Sequence, residues 1–226
     1  MLKKQSSVYT TICEREKSEN EGTATIFAVG DCRHVILNGC VCAGTRRKQG
    51  AAPRRVLWVT TSAWPDGGEI PIRNASRGEN KSSAFEFHWN LGTNPGTAPE
   101  NLQTYAVIFH DVENFSNKTT VDTLHWTAFN IPGTATGLAE GLGAADLADG
   151  TRNGPGIASR GGNTPAYFGP GAGPGPIHHY VFEFYALDTK LDLPANTTRE
   201  DLLKAMDGHI VGKAAWFGRF HAPPMD

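Results

Sequence analysis

Histidines and carboxylates stand at the ends of three strand-like runs in this 226-residue sequence. Asp111 and Glu113 follow one apolar run, and His125 opens a second. His178 and His179 open a third. An aspartate beside an imidazole fixes which ring nitrogen carries the proton, and a protonated imidazole attracts an anion. If the strand ends meet in the fold, these side chains predict a polar pocket for a small anion.

The histidine pair is preceded by a loop that has almost no side chains. Residues 169–176 read GPGAGPGP, and seven of these eight residues are glycine or proline. A plain turn needs about two to five residues, and backbone N–H groups that no side chain covers often hold small anions. The alternative is a wide surface loop that tolerates glycine and proline without binding anything.

Each of these residues also has an ordinary structural explanation. A histidine at a strand start is more often a rim residue or a satisfied core group than a ligand. Asp111, which follows an apolar run, would by default be the first residue of a loop. The combination of the histidines and carboxylates with the side-chain-poor loop is what favours a functional pocket.

The composition is that of an ordinary globular protein. Hydrophobic residues make up 39% of the sequence and charged residues 19%, and the formal net charge is −2. This balance gives no electrostatic basis for binding nucleic acid, and no run approaches the roughly 18 apolar residues of a transmembrane helix. All four cysteines lie within the first 42 residues, and their spacing matches no zinc pattern. We expect no cofactor and no structural metal, and a cytoplasmic location with the periplasm as the alternative.

Residues 1–55 differ in character from the rest of the chain. The charged run CEREKSENE and the basic run RRKQGAAPRR flank an apolar stretch that Asp31, Arg33 and His34 interrupt. We expect this segment to be a disordered extension or to reflect a wrongly assigned start. The sequence therefore predicts a single domain over residues 56–226.

From Val56 onward the pattern is that of a mainly β protein. VLWVTTSAW and AFEFHWNL alternate as half-buried strands do, and TYAVIFHDV is a continuous apolar run typical of a central strand. LHWTAFNI and HYVFEFYALD predict two further strands, and HIVGKAAWFGRF predicts a last one. TTREDLLKAM predicts one helix, with Thr197 or Thr198 as its N-cap and Gly208 after its end.

Several motifs, in this order along the chain, resemble the phosphatidylethanolamine-binding protein family, and in particular its bacterial Raf-kinase-inhibitor-like branch. They are DGGEIP, GEN, DVE fourteen positions before HW, then FNIP, TGLAEG, YFGP, HHYVFEFYALD and the closing GHIVGKAAWFGRF. The resemblance runs from about Val56 to Phe220. It implies a large antiparallel β-sheet packed on a smaller one, few helices, and a small anion pocket at one end.

The resemblance also implies a set of ligand-binding residues, which come from four motifs of the family. The two acids of its Asp-Pro-Asp motif correspond to Asp111 and Glu113, and the histidine of its His-Trp pair corresponds to His125. Its Gly-Pro loop corresponds to Gly169 and Pro170. The first and last residues of its His-Arg-Tyr motif correspond to His178 and Tyr180. Two positions depart from the family pattern. Val112 stands where the family has proline, and His179 stands where it has arginine.

We interpret the sequence as that of a soluble binding protein for a phosphate or a phospholipid headgroup, which could act in regulation, and we assign no catalytic residue. One alternative is a hydrolase that uses Asp111, His125 and His178 as acid–base groups, although no serine or cysteine nucleophile motif accompanies them. A second is a metal site to which His110 would add a ligand. A third is a protein-interaction module, with a partner of unknown identity, whose pocket is vestigial.

Overall fold

The computed structural model describes residues 54–115, 118–143, 145–157 and 166–223. The predictions for residues 1–53 lie outside these ranges. Within them the chain forms ten strands, one 3₁₀-helix and one α-helix. The strands are β1 Arg55–Thr60, β2 Gly68–Glu69, β3 Phe85–Leu91, β4 Asn94–Pro95, β5 Thr104–Phe115, β6 Asp122–Pro132, β7 Gly137–Leu138, β8 Arg152–Asn153, β9 His178–Leu187 and β10 Ile210–Phe220. The 3₁₀-helix is Ile72–Asn74, and α1 is Arg199–Met206.

The strands form two sheets. The large sheet has six strands in the order β2-β10-β9-β5-β6-β8, and in the small sheet β3 pairs with β1, β4 and β7. The pairings in the described ranges are antiparallel, apart from a short parallel contact of β10 with β2. The predicted mainly β architecture, with a large sheet on a smaller one, is therefore confirmed.

Aromatic side chains fill the space between the two sheets. Phe87 of β3 lies against Tyr105 of β5 with 4.4 Å between the ring centroids, and Phe85 lies against Phe184 of β9 at 4.9 Å. Alternation along β3 directs Phe85, Phe87 and Trp89 to this inner face, as the sequence pattern predicts. Burying one such side chain contributes roughly 1.5–3 kcal/mol to stability, so this interior holds the sheets together.

β5 lies in the middle of the large sheet and is buried on both faces. Its inner side chains belong to the core between the sheets. On the other face, Ala106 and Ile108 pack in a second cluster that includes Leu202 and Met206 of α1. This double burial explains why the sequence of β5 is a continuous apolar run and not an alternating one.

The helix ends where its sequence predicts. Thr198 is the N-cap, and its side chain accepts a hydrogen bond from the backbone N–H of Asp201. Gly208 follows the helix with φ +82°, a conformation that favours glycine, and the chain then enters β10. No helix in the described part of the chain is long and apolar enough to cross a membrane.

Two strands are longer than the sequence pattern indicates. β5 continues through Asp111 to Phe115, and β6 begins at Asp122. His125 therefore lies inside a strand, and the prediction that it opens one is wrong. The pairing of Phe115 with Asp122 extends the hairpin of β5 and β6, with a register irregularity beyond Asp111. Polar residues that the sequence pattern would place in a loop therefore lie in these strands.

Candidate functional site

Asp111 is the buried acid at the centre of the candidate site. Its residue is 2% exposed, and the register pairs it with Tyr180 of β9. Atom Oδ1 accepts the backbone N–H groups of Glu113 and Asn114, each at 3.1 Å. Atom Oδ2 lies 2.8 Å from Nδ1 of His178. These bonds compensate the burial of a carboxylate, which is unfavourable unless the group is paired.

His178 is the first residue of β9 and lines the cavity that Asp111 borders. Because Asp111 contacts Nδ1, this nitrogen carries the proton that bridges the pair, and Nε2 is the ring atom that remains for a ligand. His179 is the next residue along the strand and extends to the opposite face.

His125 presents its second ring nitrogen in the same way. Its Nδ1 lies 2.8 Å from the carbonyl oxygen of Phe168. A carbonyl can only accept a hydrogen bond, so Nδ1 carries a proton, and Nε2 of the neutral ring carries none. Burial lowers the pKa of His125, and the Phe168 carbonyl and the charge of Asp111 offset only part of this effect. The neutral ring is therefore favoured, with an acceptor atom on Nε2.

Tyr180 joins the glycine- and proline-rich loop to the sheet. It is fully buried, and its hydroxyl oxygen accepts the backbone N–H groups of Gly171 and Ala172, each at 3.3 Å. Burial, together with the charge of Asp111, raises the pKa of the phenol well above its usual range, so the hydroxyl stays neutral. It can therefore donate its own proton to the Asp111 carboxylate.

Gly169 and Pro170 lie behind the cavity and brace the loop. The N–H of Gly169 donates to Oδ1 of Asn80 at 2.8 Å, and the carbonyl of Pro170 accepts both the N–H and the hydroxyl of Ser76. A Cβ at Gly169 would overlap the carbonyl oxygen of Asn74 and approach the next backbone unit to 2.9 Å. Close approach of two backbones is thus the reason for glycine at this position.

The cavity has a volume of about 300 Å³. Its lining combines the predicted acid, both histidines and the tyrosine with residues that sequence reasoning did not select: Asn114, Ile157, Phe168, Gly171, Ala172 and Gly173. Residues 171–173 belong to the loop that the sequence singled out, so the scarcity of side chains in that loop correctly indicated part of the cavity wall. Asn114 and Ile157 carry no comparable signal. Within the described part of the chain, the lining contains no serine, threonine or cysteine.

Glu113 lies at the edge of the site and contacts His179 on the outer face. Its two carboxylate oxygens accept the backbone N–H and the ring Nδ1 of His179, both at 2.6 Å. Although partial burial acts to raise it, the pKa of Glu113 is lowered overall because these two groups of His179 donate to the carboxylate. Glu113 therefore connects β5 to β9 beside the cavity and does not line it.

Three possible metal ligands come together at this edge. Atoms of Asp111, Glu113 and His178 lie within 4.8 Å of one another. The oxygens of both acids already accept N–H groups, so a cation would compete with those groups for the carboxylate lone pairs. His110 is directed to the other face of the sheet, where its Nδ1 lies 2.6 Å from Oδ2 of Asp122. The arrangement therefore does not favour the metal site considered from the sequence.

Several known proteins are similar to this chain in sequence or in fold. A sequence profile described as phosphatidylethanolamine-binding protein matches residues 60–221 of this chain. The UPF0098 protein of Methanothermobacter thermautotrophicus is 37% identical over 163 residues, which cover 72% of this chain and 97% of that protein. The solved structure of a phosphatidylethanolamine-binding protein homologue from Chlamydia trachomatis matches with a TM-score of 0.61 and 27% identity, over 74% of this chain and 99% of that one.

A second solved structure extends the likeness of the fold. E. coli YbcL, described as a member of the mammalian family of the same proteins, matches with a TM-score of 0.58 and 23% identity. The match covers 74% of this chain and 99% of YbcL. At this level of identity the likeness concerns the arrangement of strands and not the chemistry of the cavity.

Proposed function

The chain belongs to the phosphatidylethanolamine-binding protein family, and we propose that its cavity binds a small anionic group, either a phosphate or the phosphoryl part of a phospholipid headgroup. The observation that carries the proposal is the pair of imidazoles, His125 and His178, each anchored through Nδ1 beside a cavity of about 300 Å³. Pockets of this size bind small ligands through a few well-placed polar groups.

The two rings would contact the ligand through Nε2. A phosphoryl group that retains a proton can donate it to a neutral ring, whereas a fully deprotonated group needs a protonated ring as donor. Gly173 lines the cavity, and its backbone N–H is a candidate for a further donor to the ligand. Binding of the deprotonated anion is therefore coupled to proton uptake, and it becomes tighter as the pH falls.

Titration calorimetry tests this proposal. Inorganic phosphate and phosphoethanolamine are titrated into the full chain, in two buffers that differ in ionisation enthalpy, with chloride at matched ionic strength as the control. We expect saturable binding of both phosphoryl compounds, and a heat that differs between the buffers because the complex takes up protons. The absence of saturable binding for both compounds at acidic and neutral pH would refute the anion site.

The proposal includes a cellular location. We assign the protein to the cytoplasm, with the periplasm as the alternative, because residues 56–226 contain no cysteine and thus need no disulfide to fold. Immunoblotting of separated cytoplasmic, periplasmic and membrane fractions checks this assignment. Recovery of the protein mainly outside the cytoplasmic fraction would contradict it.

A further inference from the structure

A second cavity, of about 310 Å³, lies at the same end of the large sheet as the anion cavity. Ile177 lines it, and the next residue, His178, lines the anion cavity. Phe220 also lines it and is the register partner of His178 across β9 and β10. The two cavities share no lining residue in the described part of the chain, so they are neighbouring but separate.

Arg219 supplies a permanent positive charge to this second cavity. Its Nε is buried and has no hydrogen-bond partner among the described residues. Glu69 is the register neighbour of Arg219 across β2 and β10 and lines the same cavity, yet it does not satisfy this N–H group. The guanidinium has four further N–H groups on its two terminal nitrogens, and these are the donors that a carboxylate in the cavity would contact.

The walls beside Arg219 are apolar. Ile72 is 50% exposed and Ile177 is 40% exposed, whereas Ile70 and Phe220 are buried. Large aliphatic side chains that flank a concave site with a few polar groups are typical of pockets that bind the hydrocarbon part of a ligand. A ligand that fits this cavity would therefore combine a hydrocarbon part with a group that pairs with Arg219.

We propose that this cavity is a second ligand site, which binds a small aliphatic carboxylate with its carboxylate on Arg219 and its hydrocarbon chain on Ile72 and Ile177. A planar carboxylate matches the two parallel N–H groups of a guanidinium. A doubly charged phosphate fits less well, because Glu69 places a negative charge at the same cavity. His221 lines the cavity and can donate a second hydrogen bond to the carboxylate.

An NMR titration of the isotope-labelled full chain with hexanoate tests the site, and hexanol and hexylammonium serve as matched probes. We expect chemical-shift changes at residues 69–72, 177 and 219–223. Hexanoate should bind about tenfold more tightly than hexanol, because only hexanoate makes the charge-assisted bonds. Changes confined to Asp111, His125 and His178, or equal affinity for hexanoate and hexanol, would overturn the proposal.

Two variants and a control locate the binding. Arg219→Gln should weaken hexanoate binding about tenfold by removing the guanidinium. Ile72→Glu, at a half-exposed position where the fold tolerates charge, should weaken it at least as much through repulsion. Arg152→Gln, the same change on β8 at the opposite edge of the large sheet, should leave it unchanged. Unaltered binding by Ile72→Glu would overturn the proposal even if Arg219→Gln failed to fold.

Discussion

His125 and His178 each use Nδ1 for a contact within the protein, so Nε2 is the ring atom that can contact a ligand. The acceptor of Nδ1 is a backbone carbonyl for His125 and a carboxylate for His178. Neither acceptor can donate a hydrogen bond to the ring, and the tautomer of each neutral ring is thereby fixed. We expect the protonation state of these rings, and not only their positions, to determine which anion the proposed site binds.

The first prediction concerns the pH dependence of stability in the absence and presence of phosphate. The pKa of His125 is lower in the folded protein than in the unfolded chain because the ring is buried. The unfolded chain therefore binds the proton more readily, and the stabilising contribution of the neutral ring is present above about pH 6.5 and lost as the pH falls. In chloride, the melting temperature should decrease as the pH falls below that value.

Phosphate should oppose this decrease. A bound anion stabilises the protonated ring, so the difference in melting temperature between phosphate and chloride should grow toward acidic pH. Thermal unfolding followed by circular dichroism at matched ionic strength measures both effects, and His125→Gln, which cannot titrate, serves as the control. Equal melting temperatures in the two salts at both acidic and neutral pH would count against the anion site.

The second prediction separates ligand binding from folding at Asp111. Asp111→Asn preserves the size of the side chain and removes its charge, so the fold should survive. The affinity for phosphate should fall by about 1–3 kcal/mol, because the charge-assisted bond to His178 is lost. Calorimetric titration of the variant measures this loss.

A thermodynamic cycle identifies the shared network. His178→Ala should also weaken binding, and the double variant should lose less than the sum of the two single losses, because both changes break the same contact. His179→Ala is the internal control, since its side chain contacts Glu113 on the outer face. If His179→Ala abolished binding while Asp111→Asn had no effect, the cavity would not be the binding site.

The loop of residues 169–176 is held in place by contacts on both of its sides. Its beginning is bonded to Ser76 and Asn80, and its middle is bonded to the hydroxyl of Tyr180 on β9. A chain segment rich in glycine loses more conformational freedom on folding than an average one. These backbone contacts compensate that loss and keep the wall of the cavity in position without bulky side chains.

The third prediction tests this bracing by comparing two glycines of the same loop. Gly169→Ala should destabilise the protein by about 1–3 kcal/mol and weaken phosphate binding, because its Cβ would collide with the backbone at Asn74 and displace the loop. Gly173→Ala is the matched control for stability alone, because a Cβ there would have no neighbouring atom within 4 Å, whereas the residue itself lines the cavity. Urea unfolding measures the stabilities. Equal stability of the two variants would show that the close approach at Gly169 is unimportant.

Two packed sheets form the frame on which both cavities lie. β5 is buried on one face by the small sheet and on the other by the cluster around α1. Strand β1 begins at Arg55, whose guanidinium donates to Thr97 and to the carbonyl of Ala98. The sheet therefore includes a residue just before the predicted domain start at Val56.

The fourth prediction is that residues 1–53 contribute little to the stability of this frame. A shortened protein that begins at Arg54 keeps all of β1 and should unfold cooperatively at nearly the melting temperature of the full chain, because the core between the sheets is retained. Differential scanning calorimetry makes the comparison. A noncooperative transition in the shortened protein would mean that residues 1–53 are part of the fold.

Local sequence pattern determined the presence of the six long strands, the helix and the identity of the main polar residues of the cavity. Alternation in FEFHWNL, the continuous apolar run of β5 and the capping residues of α1 each depend on neighbouring positions only, so they can be recognised without the fold. The family resemblance grouped these residues into one ligand-binding set, and Asp111, His125, His178 and Tyr180 do meet around one cavity.

Tertiary structure alone decided which atoms face that cavity. Asn114 and Ile157 line it because hairpin extension and loop packing bring distant segments together, and Gly169 and Pro170 lie behind it because their backbone groups bond to Ser76 and Asn80. The fixed tautomer of His125 and the unsatisfied Nε of Arg219 likewise arise from contacts between segments far apart in sequence. Such contacts depend on the register and packing of whole sheets, which residue types and spacing do not specify.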